Sequence, residues 1–551
     1  MQHFAHFVDL HNRRIFPAGI TVENGRIQRI RETGALPADA GYVLPGFVDA
    51  HVHIESSMLP PAEFARMAVV HGTVATVSDP HEIANVLGEA GVQYMLDNAR
   101  QAPVKFCFGA PSCVPATGFE TAGAVLDADA VERILRYPEI GYLSEMMNFP
   151  GVLHGDPQVL AKIDAARRLG KPVDGHAPGL RGEDARRYFG AGITTDHECF
   201  TYEEGREKAV LGIRILIREG SAARNFEALW PLLREFPELV MFCSDDKHPD
   251  ELLQGHINRL AARAVAKGCD LYDTLRACCL HPVLHYGLPV GLLREGDPAD
   301  FIRVADLQHF QVLETWINGV CVAANGESRL PHLPSTAPNQ FAAQPKQAGV
   351  FRIGTLQQTG IVRVIRVLDG SIVTGSETGH ARAQDGQLLA DPASDLLKIA
   401  VVNRYMPAAP PALGFVRGFG LQRGALASSV AHDSHNIVAV GTDDEALCAA
   451  VNAVIEARGG ISATDGAGDT RVLPLPVAGL MSPVDGYDLA RSYAGLDAWT
   501  KTALSCALQA PFMALSFLAL PVIPALKMTD LGLFDVDRFG FVPVEKEPES
   551  A

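Results

Sequence analysis

The chain has 551 residues, 47% hydrophobic and 20% charged, which excludes wholesale disorder. A formal net charge of −17 argues against a general nucleic-acid binder, since such a protein needs a basic face. No run of about 18 apolar residues could span a bilayer; the nearest, 510–526, has three prolines and predicts a buried helix followed by a loop. The first residues do not resemble a signal peptide, and the ten cysteines include no Cys-x-x-Cys pair. We therefore expect a cytoplasmic protein with reduced thiols and no membrane partner.

The first 44 residues are rich in β-strand signals. Residues 19–27 alternate in polarity around an Asn24-Gly25 turn, which predicts a hairpin. Residues 291–328 again show short strands and turns. These two segments flank the middle of the chain, and we expect them to pair into one small β-sandwich domain.

Residues 45–290 alternate short β-rich runs with amphipathic helical stretches. The eight runs are 46–50, 73–79, 104–112, 140–146, 172–177, 192–198, 214–220 and 239–246. Eight strand–helix units over about 250 residues match an α/β fold of the (β/α)8 TIM-like barrel type. A doubly wound open sheet remains the alternative, because the number of strands does not prove closure.

The remainder predicts a linker and a further domain. Residues 329–349 are rich in Pro, Gln, Ala and Ser, which is typical of a linker, and residues 350–545 predict a C-terminal α/β domain. Within it, 437–440 predicts a strand, and a capping box that starts at Thr442 predicts a helix up to about Ala457.

Two histidines at alternate positions stand out in Asp49-Ala50-His51-Val52-His53. In a strand, residues i and i+2 point to the same face, so both imidazoles can reach one ion. Alone, the pair could equally be two ordinary histidines. Its place at the end of the first strand favours a ligand role, because active sites of such barrels lie at the carboxyl ends of the strands.

Further groups able to bind a metal end the later runs. They are Glu145 in the fourth run, His176 in the fifth, His197 in the sixth and Asp245 in the eighth. Four histidines and two carboxylates are costly to leave unpaired in a half-buried cavity. Two divalent ions ~3.5–4 Å apart that share a carboxylate would account for the set. Imidazole and carboxylate ligands suit manganese, iron and zinc alike.

The stretch Pro45-Gly46-Phe47-Val48-Asp49-Ala50-His51-Val52-His53 resembles the opening motif of the amidohydrolase superfamily. That resemblance implies a metal-dependent hydrolase on a distorted barrel, with a small sandwich built from both ends of the barrel segment. The order of the six candidate ligands is similar to that of the binuclear members.

Six longer blocks are similar to the bacterial adenine deaminase family: 51–58, 79–86, 112–116, 145–152, 217–225 and 431–438. This resemblance implies hydrolytic deamination of adenine to hypoxanthine and ammonia, in purine salvage. It also implies two divalent ions per chain, with Mn²⁺ or Fe²⁺ favoured and Zn²⁺ compatible. The expected partners are adenine and water, and we expect a homodimer.

The fourth strand separates this family from the cyclic-amide hydrolases, which typically bridge their metals with a carbamylated lysine. This strand contains no lysine, and Lys162, the nearest later one, falls within a predicted helix. Glu145 takes the place of the lysine and is the expected bridge. The alternative is that Glu145 is an ion-paired or surface carboxylate.

The remaining candidate residues also lie at the carboxyl ends of the barrel strands, which we call the barrel mouth. Their expected roles follow from that position. Asp245, Glu82 and His197 are the candidate catalytic residues: Asp245 as proton acceptor, Glu82 or alternatively His81 as proton donor to N1 or the leaving amine, and His197 as a polarising group. Asp246, His81 and Ser112 are the candidate substrate contacts. Asp79 and its neighbours could instead cap a helix.

The cluster 432–436 predicts either a turn or a lid element, and the turn is favoured. Three alternatives remain for the activity. They are a cyclic amide hydrolase of the dihydroorotase or hydantoinase type, another aminopurine deaminase, and a non-catalytic scaffold that kept the barrel.

Overall fold

A computed structural model describes residues 1–37, 40–221, 223–355 and 360–546. Its N-terminal segment consists of β1 (Gln2–Asp9), β2 (Arg14–Glu23), β3 (Arg26–Glu32) and β4 (Tyr42–Pro45). The predicted hairpin is present, since β2 and β3 pair antiparallel around Asn24 and Gly25. Both turn residues have positive φ, the backbone conformation that an Asn-Gly turn requires.

Eight strands follow at the eight predicted positions. They are β5 (Phe47–Val52), β6 (Thr73–Ser78), β7 (Lys105–Ala110), β8 (Ile140–Met146), β9 (Val173–Gly175), β10 (Thr195–Asp196), β11 (Arg214–Arg218) and β12 (Val240–Cys243). Strands β5 to β9 pair in parallel in that order, and so do β10 to β12.

Backbone hydrogen bonds close these two groups of strands into a ring. Thr194 N donates to Val173 O over 2.9 Å at one junction. At the other, beside the first strand, Asp245 N donates to His51 O over 2.9 Å. The doubly wound alternative is therefore excluded, and the predicted (β/α)8 barrel is confirmed.

Helices surround the barrel and join its strands. They are α1 (Pro61–Ala68), α2 (His81–Leu87), α3 (Glu89–Ala99), α4 (Ala128–Leu135), α5 (Phe149–His154), α6 (Pro157–Arg168), α7 (Gly182–Gly190), α8 (Tyr202–Val210), α9 (Phe226–Leu229), α10 (Leu232–Glu235), α11 (Pro249–Gln254), α12 (Ile257–Ala266), α13 (Leu271–Leu275) and α14 (His281–Tyr286). The strands contribute mostly buried side chains, as expected for parallel strands covered by helices.

The segment after the barrel returns to the N-terminal strands. It forms β13 (Phe301–Val304), β14 (Val312–Ile317), β15 (Val320–Ala324) and β16 (Glu327–Ser328). β4 joins the two segments into one eight-stranded sheet, since it runs parallel to β1 and antiparallel to β13.

The C-terminal part is built on a second eight-stranded sheet, of order β19-β18-β23-β22-β25-β24-β26-β27. The strands here are β17 (Ile353–Gly354), β18 (Ile361–Arg366), β19 (Gly375–His380), β20 (Arg382–Gln384), β21 (Gln387–Leu389), β22 (Leu397–Val402), β23 (Ala412–Arg417), β24 (Ala425–Ser428), β25 (Ile437–Gly441), β26 (Gly460–Thr464), β27 (Thr470–Pro474), β28 (Leu526–Thr529), β29 (Gly532–Asp535) and β30 (Gly540–Phe541). The helices are α15 (Asp444–Glu456), α16 (Gly486–Ala503) and α17 (Pro511–Ser516).

The predicted start of α15 is wrong by one residue. Asp443, not Thr442, caps the helix, and its carboxylate accepts a hydrogen bond from Ala446 N over 2.7 Å. The Thr442 hydroxyl is used elsewhere, because it donates to Gly424 O over 3.2 Å. The domain boundaries at 44/45, 290/291, 328/329 and 349/350 remain proposals.

The C-terminal part contacts the barrel directly. Gly486 N, at the start of α16, donates to Glu63 of α1 over 2.8 Å. Thr121 N, in the loop after β7, donates to Asp530 over 2.9 Å. None of the helices in the described ranges is long and apolar enough to cross a membrane.

Candidate active site

Two of the strand-end histidines and one aspartate form the first set of candidate ligands at the barrel mouth. Nε2 of His53 lies 3.2 Å from Nε2 of His51 and 3.4 Å from Oδ1 of Asp245. The backbone bonds that close the barrel hold these residues, since β12 is fixed against β5 by the bond from Asp245 N to His51 O. The three side chains are buried and can share one ion.

A second set lies beside the first. Nδ1 of His176 lies 2.7 Å from Oε2 of Glu145, and Nε2 of His197 lies 3.1 Å from the same oxygen. The other oxygen of Glu145, Oε1, lies 3.3 Å from Nε2 of His53. Glu145 therefore presents one carboxylate oxygen to each set, which is the arrangement that a bridging ligand requires.

The residues present fit divalent metal ions. Nitrogen and oxygen atoms of these side chains gather in groups of three within 4.8 Å of one another. Imidazole nitrogens and carboxylate oxygens at such spacing are the donors that manganese, iron and zinc take in proteins.

Neighbouring charged groups shift the pKa values of Glu145 and His197. Burial alone would raise the pKa of the Glu145 carboxyl, but His176 and His197 hold that pKa well below its usual range. Burial likewise opposes a charged His197, yet Glu145 and Asp245 raise the pKa of His197 to about 9. The Glu145 carboxyl group is therefore ionised, and an anionic oxygen at this position favours a cation.

Arg218 and Glu198 also belong to the site, although sequence reasoning assigned neither a role at the metals. Arg218 Nη1 contacts both Glu198 and Asp245, and its Nη2 donates to Glu198 over 2.7 Å. Arg218 is thus a buried cation that orients Asp245 by holding Oδ2, and Oδ1 remains on the side of the histidines. One feature of the sequence could have identified Arg218 as a site residue: it is an arginine at the end of a barrel strand, in the run 214–220.

Of the predicted substrate contacts, His81 and Asp246 line the cavity above the ligands, and so does Glu82. Ser112 does not belong to the part of the cavity lining that the structure describes. Its hydroxyl donates to the backbone carbonyl of Glu145, so Ser112 supports the bridge residue instead of facing substrate. A strand-end position alone does not reveal to which side a side chain points.

Two further expectations can be compared with the geometry. Lys162 lies on α6 and donates to Ser112 O over 2.7 Å, which places it on the backbone behind the mouth. In the block 217–225, Arg218 lines the cavity, and Ala222 lies outside the described residues.

The cavity has about 310 Å³ of empty volume, and the C-terminal part covers it. The covering side chains are Ile372, His432, Asp433, Phe517, Leu520 and Ile523. We call residues 431–436 the roof loop. The turn favoured for 432–436 is therefore an incomplete description, because His432 contacts Glu82 of the barrel. Such contacts join residues about 350 positions apart and leave no local pattern in the sequence.

Family models match two parts of the chain. The model described as the amidohydrolase family matches residues 42–322, more than half of the chain, and the adenine deaminase C-terminal domain matches residues 371–540. With the closed barrel and the His and carboxylate sets at its mouth, this match defines a metal-dependent hydrolase of the amidohydrolase class.

Individual proteins refine that class. The chain is 57% identical to an adenine deaminase of Salinibacter ruber, over 97% of each chain. It is 54% identical to an adenine deaminase of a Sulfurovum species, over 98% of this chain and 99% of that one. A solved β-aspartyl dipeptidase of Fervidobacterium islandicum aligns with 60% of this chain and 99% of its own at 16% identity and a TM-score of 0.45. The chain belongs to the adenine deaminase family.

Proposed function

We propose that this protein converts adenine and water to hypoxanthine and ammonia, with its chemistry at the barrel mouth. The observation that carries the proposal is the position of Glu145, with one carboxylate oxygen toward each set of ligands. Near-full-length similarity to curated adenine deaminases supports the choice of adenine as substrate.

His51, His53 and Asp245 would hold one divalent ion, and His176 and His197 the other, with Glu145 shared between them. Such ions lower the pKa of a bound water from 15.7 to about 7, so that hydroxide is available at neutral pH. We propose that both ions are Mn²⁺ or that both are Fe²⁺. Zn²⁺ is compatible with the same donor atoms.

The protein's own residues carry the proton transfers. Oδ1 of Asp245 faces the mouth and accepts the proton of the attacking water, while Arg218 fixes Oδ2. Oxygen adds to C6 of the purine, and the C6–N bond then breaks as the amine leaves as ammonia. Glu82 lines the same cavity as a carboxylate, takes up the second proton lost by the attacking water and passes it to N1 or to the leaving amine.

The purine fills the space between the ligands and the roof. His81 and Asp246 supply polar contacts, and the apolar side chains Ile372 and Phe517 cover the ring. Free adenine is therefore preferred over adenosine, whose ribose would extend from N9 into the roof.

A spectrophotometric assay tests the proposal. Protein reconstituted with manganese is expected to convert adenine to hypoxanthine with one ammonia released per turnover. Comparable kcat/KM values for adenine and adenosine would contradict the substrate assignment. Ring opening of dihydroorotate or hydantoin without ammonia release from adenine would favour the cyclic-amide alternative.

We also propose a cytoplasmic homodimer. Sedimentation equilibrium of the purified chain tests the oligomeric state, and fractionation of cells that express the natural protein tests the location.

A further inference from the structure

The barrel has a seam next to the second set of ligands, at the junction of β9 and β10. Among the described strands, β5 to β9 form one sheet and β10 to β12 another, so no ladder joins β9 to β10. The backbone bond from Thr194 N to Val173 O crosses the seam at the amino ends of the two strands. His176 and His197 directly follow the opposite ends. Regular strand pairing therefore does not fix the distance between these two histidines.

The side chain of Lys208, on α8, crosses the seam beside both histidines. Its Nζ donates to Ala177 O over 2.7 Å and to Oδ2 of Asp196 over 2.5 Å. The other oxygen of Asp196, Oδ1, accepts from Ala177 N over 3.3 Å. Ala177 follows His176 in the chain, and Asp196 precedes His197. The immediate neighbours of the two ligands are thus joined to each other through Lys208.

Glu204, one turn earlier on α8, binds the segments that follow the same two strands. Its Oε1 accepts from Lys208 over 2.7 Å and from Gly179 N over 2.9 Å. Its Oε2 accepts from Phe200 N over 3.1 Å. Gly179 lies after β9 and Phe200 after β10. Since residues i and i+4 lie on one face of a helix, Glu204 and Lys208 together attach α8 to both sides of the seam.

Lys208 is a charged group with no access to water. Its side chain is 0% exposed, and a buried ammonium is unfavourable unless it has partners. Burial opposes the charge, yet Asp196 and Glu204 raise the pKa of Lys208 above its usual value. An apolar residue could cover the strands without the cost of burying an ion pair. Packing of α8 against the barrel therefore does not by itself account for a lysine here.

Resting on the two ion sites of the proposed function, we propose that Lys208 is a positioning residue for the second ion. By joining the neighbours of His176 and His197, it holds both imidazoles where they can reach one ion together with Glu145. The bond from Asp245 N to the first strand holds the first set at the other junction of the barrel, so that set does not depend on Lys208. Loss of a group that orients metal ligands typically lowers metal affinity about 10- to 100-fold.

Manganese titration of a lysine variant measures this role. Lys208→Met removes the ammonium and keeps most of the side-chain volume. In calorimetric titration of stripped protein with Mn²⁺, we expect one dissociation constant to rise about 10- to 100-fold and the other to stay at the wild-type value. At saturating Mn²⁺, kcat for adenine should return to within a few-fold of wild type.

Lys527→Met is the matched control for this substitution. Lys527 is also fully buried and donates to two backbone carbonyls, those of Ile372 and Phe517, but it contacts neither set of ligands. Both manganese dissociation constants of Lys527→Met should therefore equal those of the wild type. A general effect of losing a buried lysine would instead weaken metal binding in both variants.

Two further variants show which ion depends on Lys208. In a His51→Ala background the second set remains intact, and Lys208→Met should weaken the remaining ion about 10- to 100-fold. In a His176→Ala background the first set remains intact, and Lys208→Met should leave the remaining ion unchanged, because the two residues act on one site. A role in stability alone would lower the thermal midpoint without this difference between the two backgrounds.

Wild-type dissociation constants in Lys208→Met, or equal weakening in both backgrounds, would overturn the inference. If Lys208→Met does not fold, Lys208→Gln replaces it in the same titrations with the same two outcomes, since its side chain is uncharged and one bond shorter. A wild-type protein that binds two Mn²⁺ but leaves adenine unchanged would overturn the proposed reaction and leave this inference standing. A wild type that binds a single ion would overturn both.

Discussion

The floor and the roof of the cavity are built in different ways. The floor consists of charged side chains at the ends of barrel strands, and backbone hydrogen bonds around the closed barrel fix their positions. The roof consists of loops of the C-terminal part that contribute apolar side chains and the buried histidines of the roof loop. This difference indicates that the floor provides the chemistry, while the roof encloses the substrate.

The largest effect is expected from the floor. His51→Ala, His53→Ala and Asp245→Asn should each lower kcat by about 1,000-fold or more, since a metal ligand or the proton acceptor is lost. The fold should survive, because the hydrophobic barrel core lies beneath these residues. Turnover of adenine and circular dichroism measure the two effects. A near-normal rate in Asp245→Asn would transfer the role of the base to Asp246.

Glu145→Gln tests the bridge between the two ion sites. The substitution keeps the shape but removes the negative charge that offsets repulsion between two cations, so metal content and rate should fall together. Because glutamate is already an anion at neutral pH, withholding bicarbonate during reconstitution should not lower the activity of the wild type.

Glu55→Gln provides the control for this substitution. Glu55 is a buried carboxylate that accepts from Ile83 N over 3.2 Å, and it belongs to neither set of ligands. That variant should bind two ions, as the wild type should. A Glu145→Gln protein with both ions and full activity would show that Glu145 is not the bridge.

The sequence was most informative about the floor. His51, His53, Glu145, His176 and Asp245 all stand at strand ends, where the periodicity of the strands and the geometry of a barrel bring the side chains together. Ser112 also stands at a strand end, but its hydroxyl donates to the carbonyl of Glu145, because a strand end does not determine whether a side chain points into the cavity or toward a neighbouring carbonyl.

The roof could not be predicted in the same way. The contact between His432 and Glu82 depends on how two parts of the chain dock, and neither segment carries that information alone. The sequence also does not reveal which residue orients Asp245 in the floor. Arg218 is recognisable as functional only from its contacts with Glu198 and Asp245.

Arg218→Met tests that support. Removal of the guanidinium leaves two buried carboxylates without their cation, and such losses cost about 3–5 kcal/mol of stability. We expect the free energy of unfolding to fall by that amount and kcat to fall about 100-fold, because Asp245 loses its orientation. Arg218→Lys should recover stability better than rate, since lysine cannot bind both carboxylates in the same fork. Equal recovery of both would contradict an orienting role.

The smallest effect on turnover is expected from Lys527, behind the roof. Its buried ammonium donates to the carbonyls of Ile372 and Phe517 over 2.9 and 3.0 Å, and burial lowers the pKa of Lys527 to about 7. Between pH 7 and 10.5 the unfolded chain binds more protons than the folded one at this residue, so stability should rise with pH across that window.

Lys527→Met should remove this part of the pH dependence and change kcat only a few-fold. Chemical denaturation at pH 7, 8 and 9 measures the slope for both proteins. Identical slopes of unfolding free energy against pH in the two proteins would show that Lys527 is not the titrating group. A loss of activity in Lys527→Met as large as that of His53→Ala would contradict the distinction between a catalytic floor and an enclosing roof.

Metal titration of stripped wild-type protein tests the central claim most directly. Adenine turnover should be absent without metal and should rise with added Mn²⁺ until two equivalents per chain are bound, with no further increase beyond that point. Full turnover in the stripped protein, or saturation at a single equivalent, would contradict a two-ion floor bridged by Glu145.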